Sequence, residues 1–129
     1  MDYGYVKNLD LDFEAAEKRV REALAAEGFG VLSEIDVEQA FKKKLDLDYR
    51  PYKILGACNP KLARQAVDGE PHIGLLLPCN VLIQANPEGN GTVVSIADPR
   101  MMFRIVDNSA VQPVADEAAE RLRRVMDAI

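Results

Sequence analysis

The sequence has no tryptophan, one histidine and two cysteines among its 129 residues. Each scarcity removes a class of protein. Two cysteines, Cys58 and Cys79, build no disulfide framework; in a reducing compartment they are free thiols, metal ligands or a redox pair. The lone histidine, His72, follows Pro71 with no recognisable Ser or Asp partner and reads as a solvated loop residue rather than a base. Aromatics make up 6% of the chain and the net charge is −5. A basic stripe with interleaved aromatics is therefore missing, and nucleic acid is not an expected partner. The longest apolar run, "IGLLLPCNVLI", is interrupted by Pro78 and Asn80 and is too short to span a bilayer. "MDYGYVKNLD" has neither a basic n-region nor an apolar h-region, so no export signal is read and a cytoplasmic location is expected. No glycine-rich phosphate loop, nucleophile elbow or paired-carboxylate pattern occurs. An enzyme is the weaker expectation.

What remains is an ordinary globular composition, 48% hydrophobic and 29% charged, in a length that fits one domain over residues 1–129. "YGYVKN" has strand character. Asp10 or Asp12 can cap a helix whose apolar face is Phe13, Ala16, Val20, Ala23 and Leu24, stopped by Gly28. The alternation of Phe29, Val31, Ser33 and Ile35 predicts a half-buried strand. Asp36 then caps a short helix with Val37, Ala40, Phe41 and Leu45 on one face. "YKILGAC" is a strand entered through Pro51, and Asn59-Pro60 starts a helix with Leu62, Ala63, Ala66 and Val67 as its apolar face.

Residues 73–84 and 92–98 read as two strands joined by the turn-rich "NPEGN", with Gln84 facing Thr92 or Val93. Residues 100–111 are ambiguous between a strand and an irregular crossing. A last helix begins near Gln112-Pro113 and buries Val114, Ala118, Leu122, Val125 and Ile129. Its wet side carries the i,i+4 pairs Glu117–Arg121 and Glu120–Arg124. The order β-α-β-α-β-α-β-β-α predicts an α+β fold, a curved antiparallel sheet with helices packed on one face.

The thiols are the main chemical candidates. Cys58 ends a strand just before a helix N-terminus, where backbone N–H groups favour a thiolate. Pro78 cannot donate to a sheet ladder, so the ladder must break beside Cys79. Hairpin register carries Asp98, and with it Met101 and Met102, toward Cys79. Two thiolates and a thioether make a soft-ligand set for Cu(I) or another thiophilic ion. Two thiols alone can cycle as a disulfide if their α-carbons lie within about 7 Å. Against this stands the usual use of free cysteine as a small buried filler, and no CxxC spacing strengthens a metal site.

The motifs "FGVLSEIDV", "YKILGACNP", "GLLLPCNVLI" and "ADP..M" resemble the bacterial and archaeal domain-of-unknown-function family 302 over nearly the whole chain. Cys58, Asn59, Pro60, Pro78 and Cys79 carry the specific part; Asp98 and Pro99 match a weaker signature. The resemblance implies a fold like that of the TATA-binding-protein group and names no activity. Three functions stay open. One is a soft-metal or thiol-redox module at Cys58 and Cys79, with Asn59, Pro60, Pro78, Asn80, Asp98, Met101 and Met102 around it. Another is a small-molecule binding module floored by Leu75, Leu77 and Val81. The third is an interaction protein acting as a homodimer through an exposed strand edge.

Overall fold

The computed structural model describes residues 1–129. Its first strand, β1 (Gly4–Leu9), leads to α1 (Phe13–Ala26), and Asp12 makes that start local: its carboxylate accepts the Ala15 N–H at 2.8 Å. Gly28, at φ +83°, supplies the left-handed exit that a side chain would resist. β2 (Gly30–Asp36) runs straight into α2 (Val37–Leu45), capped by the Asp36 carboxylate on the Gln39 N–H. β3 (Tyr52–Cys58) ends at Asn59, whose side-chain oxygen caps α3 (Pro60–Gly69). A 3-10 segment, Pro71–Leu76, precedes β4 (Cys79–Ala85) and β5 (Thr92–Ala97). The short α4 (Pro99–Phe103) and long α5 (Gln112–Ala128) complete the chain.

The five strands form one open sheet in the order β1-β5-β4-β3-β2, every pair antiparallel. The hairpin register is the expected one, with Gln84 opposite Val93. Alternate strand residues point to one side, where α1 and α5 cover them. There Leu55, Val81, Ile83, Val94 and Ile96 meet Val20, Leu24, Leu122 and Val125 in the main core. The last helix buries Val114, Ala118, Leu122 and Val125 as its periodicity requires. No helix is long and apolar enough to cross a membrane.

Four expectations need correction. Residues 73–78 are not strand: Pro71 presets a helical turn, and Pro78 comes before the ladder instead of breaking it, so β4 begins at Cys79. β2 has an irregularity between Val31 and Ser33 that inserts Leu32. Val31 therefore packs on the main core while Ser33 and Ile35 turn to the other side. The α2 helix buries none of its residues and stands at the sheet border, linked through the Phe41–Tyr49 and Tyr49–Tyr52 ring contacts. Glu120 pairs with Arg123 at 2.9 Å, not with Arg124, which reaches Glu27 instead.

Candidate functional site

At one end of the sheet, the start of β4 lies between α3, the 3-10 segment and α4. Gly56 of β3 is required there, because a β-carbon on it would collide with Ser33 and with the Pro78 ring. Pro78 thus seats directly on the sheet, and Cys79 turns toward the helices, packed against the main core.

Two adjoining hollows share Leu77, Pro78, Cys79, Pro99 and Phe103 in their walls. The inner one, about 30 Å³, adds Cys58, Leu62 and Ala66 and holds no more than a water-sized guest. The outer one, about 140 Å³, is lined by Leu75, Leu76, Asn80, Ala97 and Met102 as well. Beyond it a groove of about 280 Å³ continues over Ile73, Leu76, Ile105 and Val106, with Glu70 and His72 on its rim. Leu75 is 88% exposed and Ile105 76% exposed beside these openings. Large apolar side chains held in water at the mouth of an apolar hollow are what a binding site displays and a closed core does not.

The thiols behave differently from the sequence expectation. Cys79 is cross-strand to Ala57, not to Cys58, and both cysteines are free; they border the inner cavity without coming together as a pair. Burial pushes the Cys58 thiol up from its ordinary value. Burial, reinforced by Cys58, pushes the Cys79 thiol up to about 11. At the helix N-terminus Pro60 has no N–H to offer, and the Leu62 N–H donates to the Asn59 side-chain oxygen at 3.3 Å. Both sulfurs are therefore neutral thiols near neutral pH, weak as nucleophiles and as metal ligands.

The neighbouring candidates divide. Asp98 caps α4 through the Arg100 N–H at 2.9 Å. It also faces Tyr5, whose hydroxyl is shifted up by burial and then by the Asp98 charge and hydrogen bond. Asp98 is thus occupied by structure. Met102 lines the outer hollow, whereas Met101 does not. Asn59 is a structural knot: besides capping α3 it donates to the Glu27 carbonyl at 3.4 Å, which also accepts from Arg121 at 3.1 Å. Pro60 sets the first turn of α3 and Asn80 is the polar group of the outer hollow. No three His, Cys, Asp or Glu side chains gather anywhere in a metal-holding group.

The sequence reading missed Pro99, Phe103 and Leu76 as wall residues. Phe103 had as its local signal only the apolar spacing inside "RMMFRIV", which a strand or a turn could equally explain; Leu76 had only its place in the apolar run "GLLLP", and Pro99 only its place in "ADP..M". Of the ligand floor expected from sequence, Leu75 and Leu77 line the outer hollow, but Val81 is fully buried in the main core.

An open antiparallel sheet layered under helices, in this strand order, defines a small α+β protein. Residues 5–129 match the family described as "Domain of unknown function DUF302", and the chain belongs to that family. The crystal structure of an uncharacterized conserved DUF302 protein from Bacillus stearothermophilus is similar, with a TM-score of 0.89 and 26% sequence identity. That match covers 99% of this chain and 98% of the other. No curated protein matches the sequence.

Proposed function

We propose that this protein is a binding module for a small, uncharged, largely apolar molecule, taken up in the outer hollow beside Cys79. The observation that carries the reading is the union of an apolar hollow with an uncovered mouth, where Leu75 stays 88% exposed. At about 140 Å³ the space matches a guest of benzene size, since a dry cavity of about 150 Å³ takes up benzene. A longer chain can extend from it into the groove over Ile105 and Val106. Asn80 supplies one polar contact for orientation, and Cys79 contributes a neutral, polarizable wall.

A soft-metal or redox module at Cys58 and Cys79 fits less well. Metal binding must remove both thiol protons, and burial opposes that removal at both sulfurs.

The test is amide NMR titration with benzene and, separately, 1-hexanol. Shifts confined to residues 75–80, 97 and 99–106 are expected, with loss of those shifts in Ala97→Phe, which fills the hollow. Absence of any saturable shift, or shifts that survive Ala97→Phe, would sink the reading.

A further inference from the structure

The side of the sheet away from α1 and α5 carries an inverted pattern. An antiparallel sheet with one solvated face normally places its charged residues in water. Here the charged strand residues Lys7, Glu34 and Lys53 lie on the helix-covered side. Lys7 donates to the Met126 and Ile129 carbonyls, and Lys53 pairs with Glu17 and Glu34. By strand alternation no strand residue on the other side is charged, in a chain that is 29% charged; the cation that reaches it is Arg50, which donates to Gln84 beside Tyr52.

That uncharged side has relief. One row runs across all five strands as Val6, Ser95, Leu82, Ile54 and Ile35, each cross-strand to the next. Val6 is 52% and Ile35 53% exposed at its two ends. The neighbouring row is made of small groups, Gly4 beside Ala97 and Asn80 beside Gly56 beside Ser33, with the Pro78 ring lying over the buried Gly56. An apolar ridge thus lies parallel to a shallow trough on the same surface.

We infer that this sheet face is an interface for a second copy of the same chain, packed about a two-fold axis so that the two ridges cross at their centres. Three observations choose a second copy over other occupants. The strand residues of the face carry no charge, and the single Arg50 at its border is engaged by Gln84, so no charged patch is there to attract nucleic acid, an anionic membrane or a charged peptide. Self-association brings no charged strand residues together there, although each copy carries −5 overall. The size also suffices: five strands about 4.8 Å apart and six residues about 3.4 Å each span roughly 24 by 20 Å. Counted on both copies, a face that large buries on the order of 1,000 Å², the scale of a specific interface.

β4 is the central strand and Leu82 its middle residue, so the axis passes close to Leu82 and the two Leu82 side chains meet. The β2 edge, in contrast, is irregular at Val31/Ser33, which guards it against strand addition. The interface is therefore the face and not an edge. Asn80 and Ala97 also line the outer hollow, so the two readings are separated by their tests: sedimentation reports the dimer and amide shifts report the ligand.

The test is analytical ultracentrifugation of the full chain. Wild type should sediment at twice 14.3 kDa at tens of micromolar. Leu82→Glu and Leu82→Lys should each be monomeric, with the dimer Kd raised at least about thirtyfold, the scale of an interface hot spot. Mixing those two variants should restore the dimer through the opposite charges at the axis. Circular dichroism should show both folded; if either is not, Val6→Lys at the exposed end of the ridge gives the same readout. A monomeric wild type, dimeric single variants, or a mixture that stays monomeric would each overturn the inference.

Discussion

Fifteen buried residues tie the sheet to α1 and α5, whereas only six hold the 3-10 segment and α4 against α3 and the start of α5. The larger cluster joins every layer of the fold. The smaller one, centred on Ile73, Phe103 and Val111, walls the hollows and is closed partly by polar ties. Asn108 donates to the Gly69 carbonyl at 2.8 Å, and Gln112 donates to the Phe103 carbonyl. A rigid frame and a thinly held wall are different uses of burial. The frame sets global stability; the wall sets how easily the site opens.

The largest expected effect lies in the frame. Leu122 is fully buried among sheet side chains, so Leu122→Ala should cost about 2–5 kcal/mol. Urea denaturation should show a single transition moved as a whole. A change confined to the 3-10 segment and α4 would mean that the two clusters are not ranked as described.

A smaller effect is expected from the charged group on the covered side. Burial alone would raise the Glu17 carboxyl, but hydrogen bonds from Lys53 and Arg21 outweigh it and hold the group below its ordinary value. Lys53 is correspondingly raised, first by its hydrogen bond to Glu17. Because the folded carboxyl titrates lower than the unfolded one, its contribution is complete above the unfolded value of about 4.3. It is lost as pH falls through the folded value. Glu17→Gln should therefore cost about 1–3 kcal/mol at pH 7 and progressively less in acid, read by denaturation at several pH values. An equal cost at all pH values would show that packing, and not charge, is at stake.

The smallest effect belongs to the wall. Ile73→Val should cost about 0.5–1.5 kcal/mol. Hydrogen exchange should quicken at residues 66–76 and 99–114 while β3 and β4 keep their protection. Uniform loss across the sheet would erase the distinction between frame and wall.

How much of this was legible in the sequence follows the range of each interaction. Asp12, Asp36 and Asn59-Pro60 announced three helix starts because capping is settled within three residues. The hairpin register was readable because a short turn connects its strands. The pairing of β1 with β5 and the irregularity at Leu32 were not, since both depend on partners distant in sequence. "PHIGLLLP" misled for another reason: a short apolar run has no period that separates strand from helical turn.

The site shows the same division. Cys79 and Met102 were singled out from residue type, but the hollow that they share is assembled from two stretches of chain, 75–80 and 97–103, that only the fold brings together. The thiolate expected at Cys58 failed because a helix terminus was considered without the burial around it.

The strand order has a consequence in time. β1 is made before the other four strands of the sheet, yet its only partner is β5, the last of them. At about 5–20 residues per second, the 82 intervening residues, 10–91, take several seconds to be made. Throughout that interval the N-terminal segment has no ladder to join, and β2, β3 and β4 can pair before it. The last event in building the sheet is then the return of its first residues, a long loop closure that bears on how fast the chain folds.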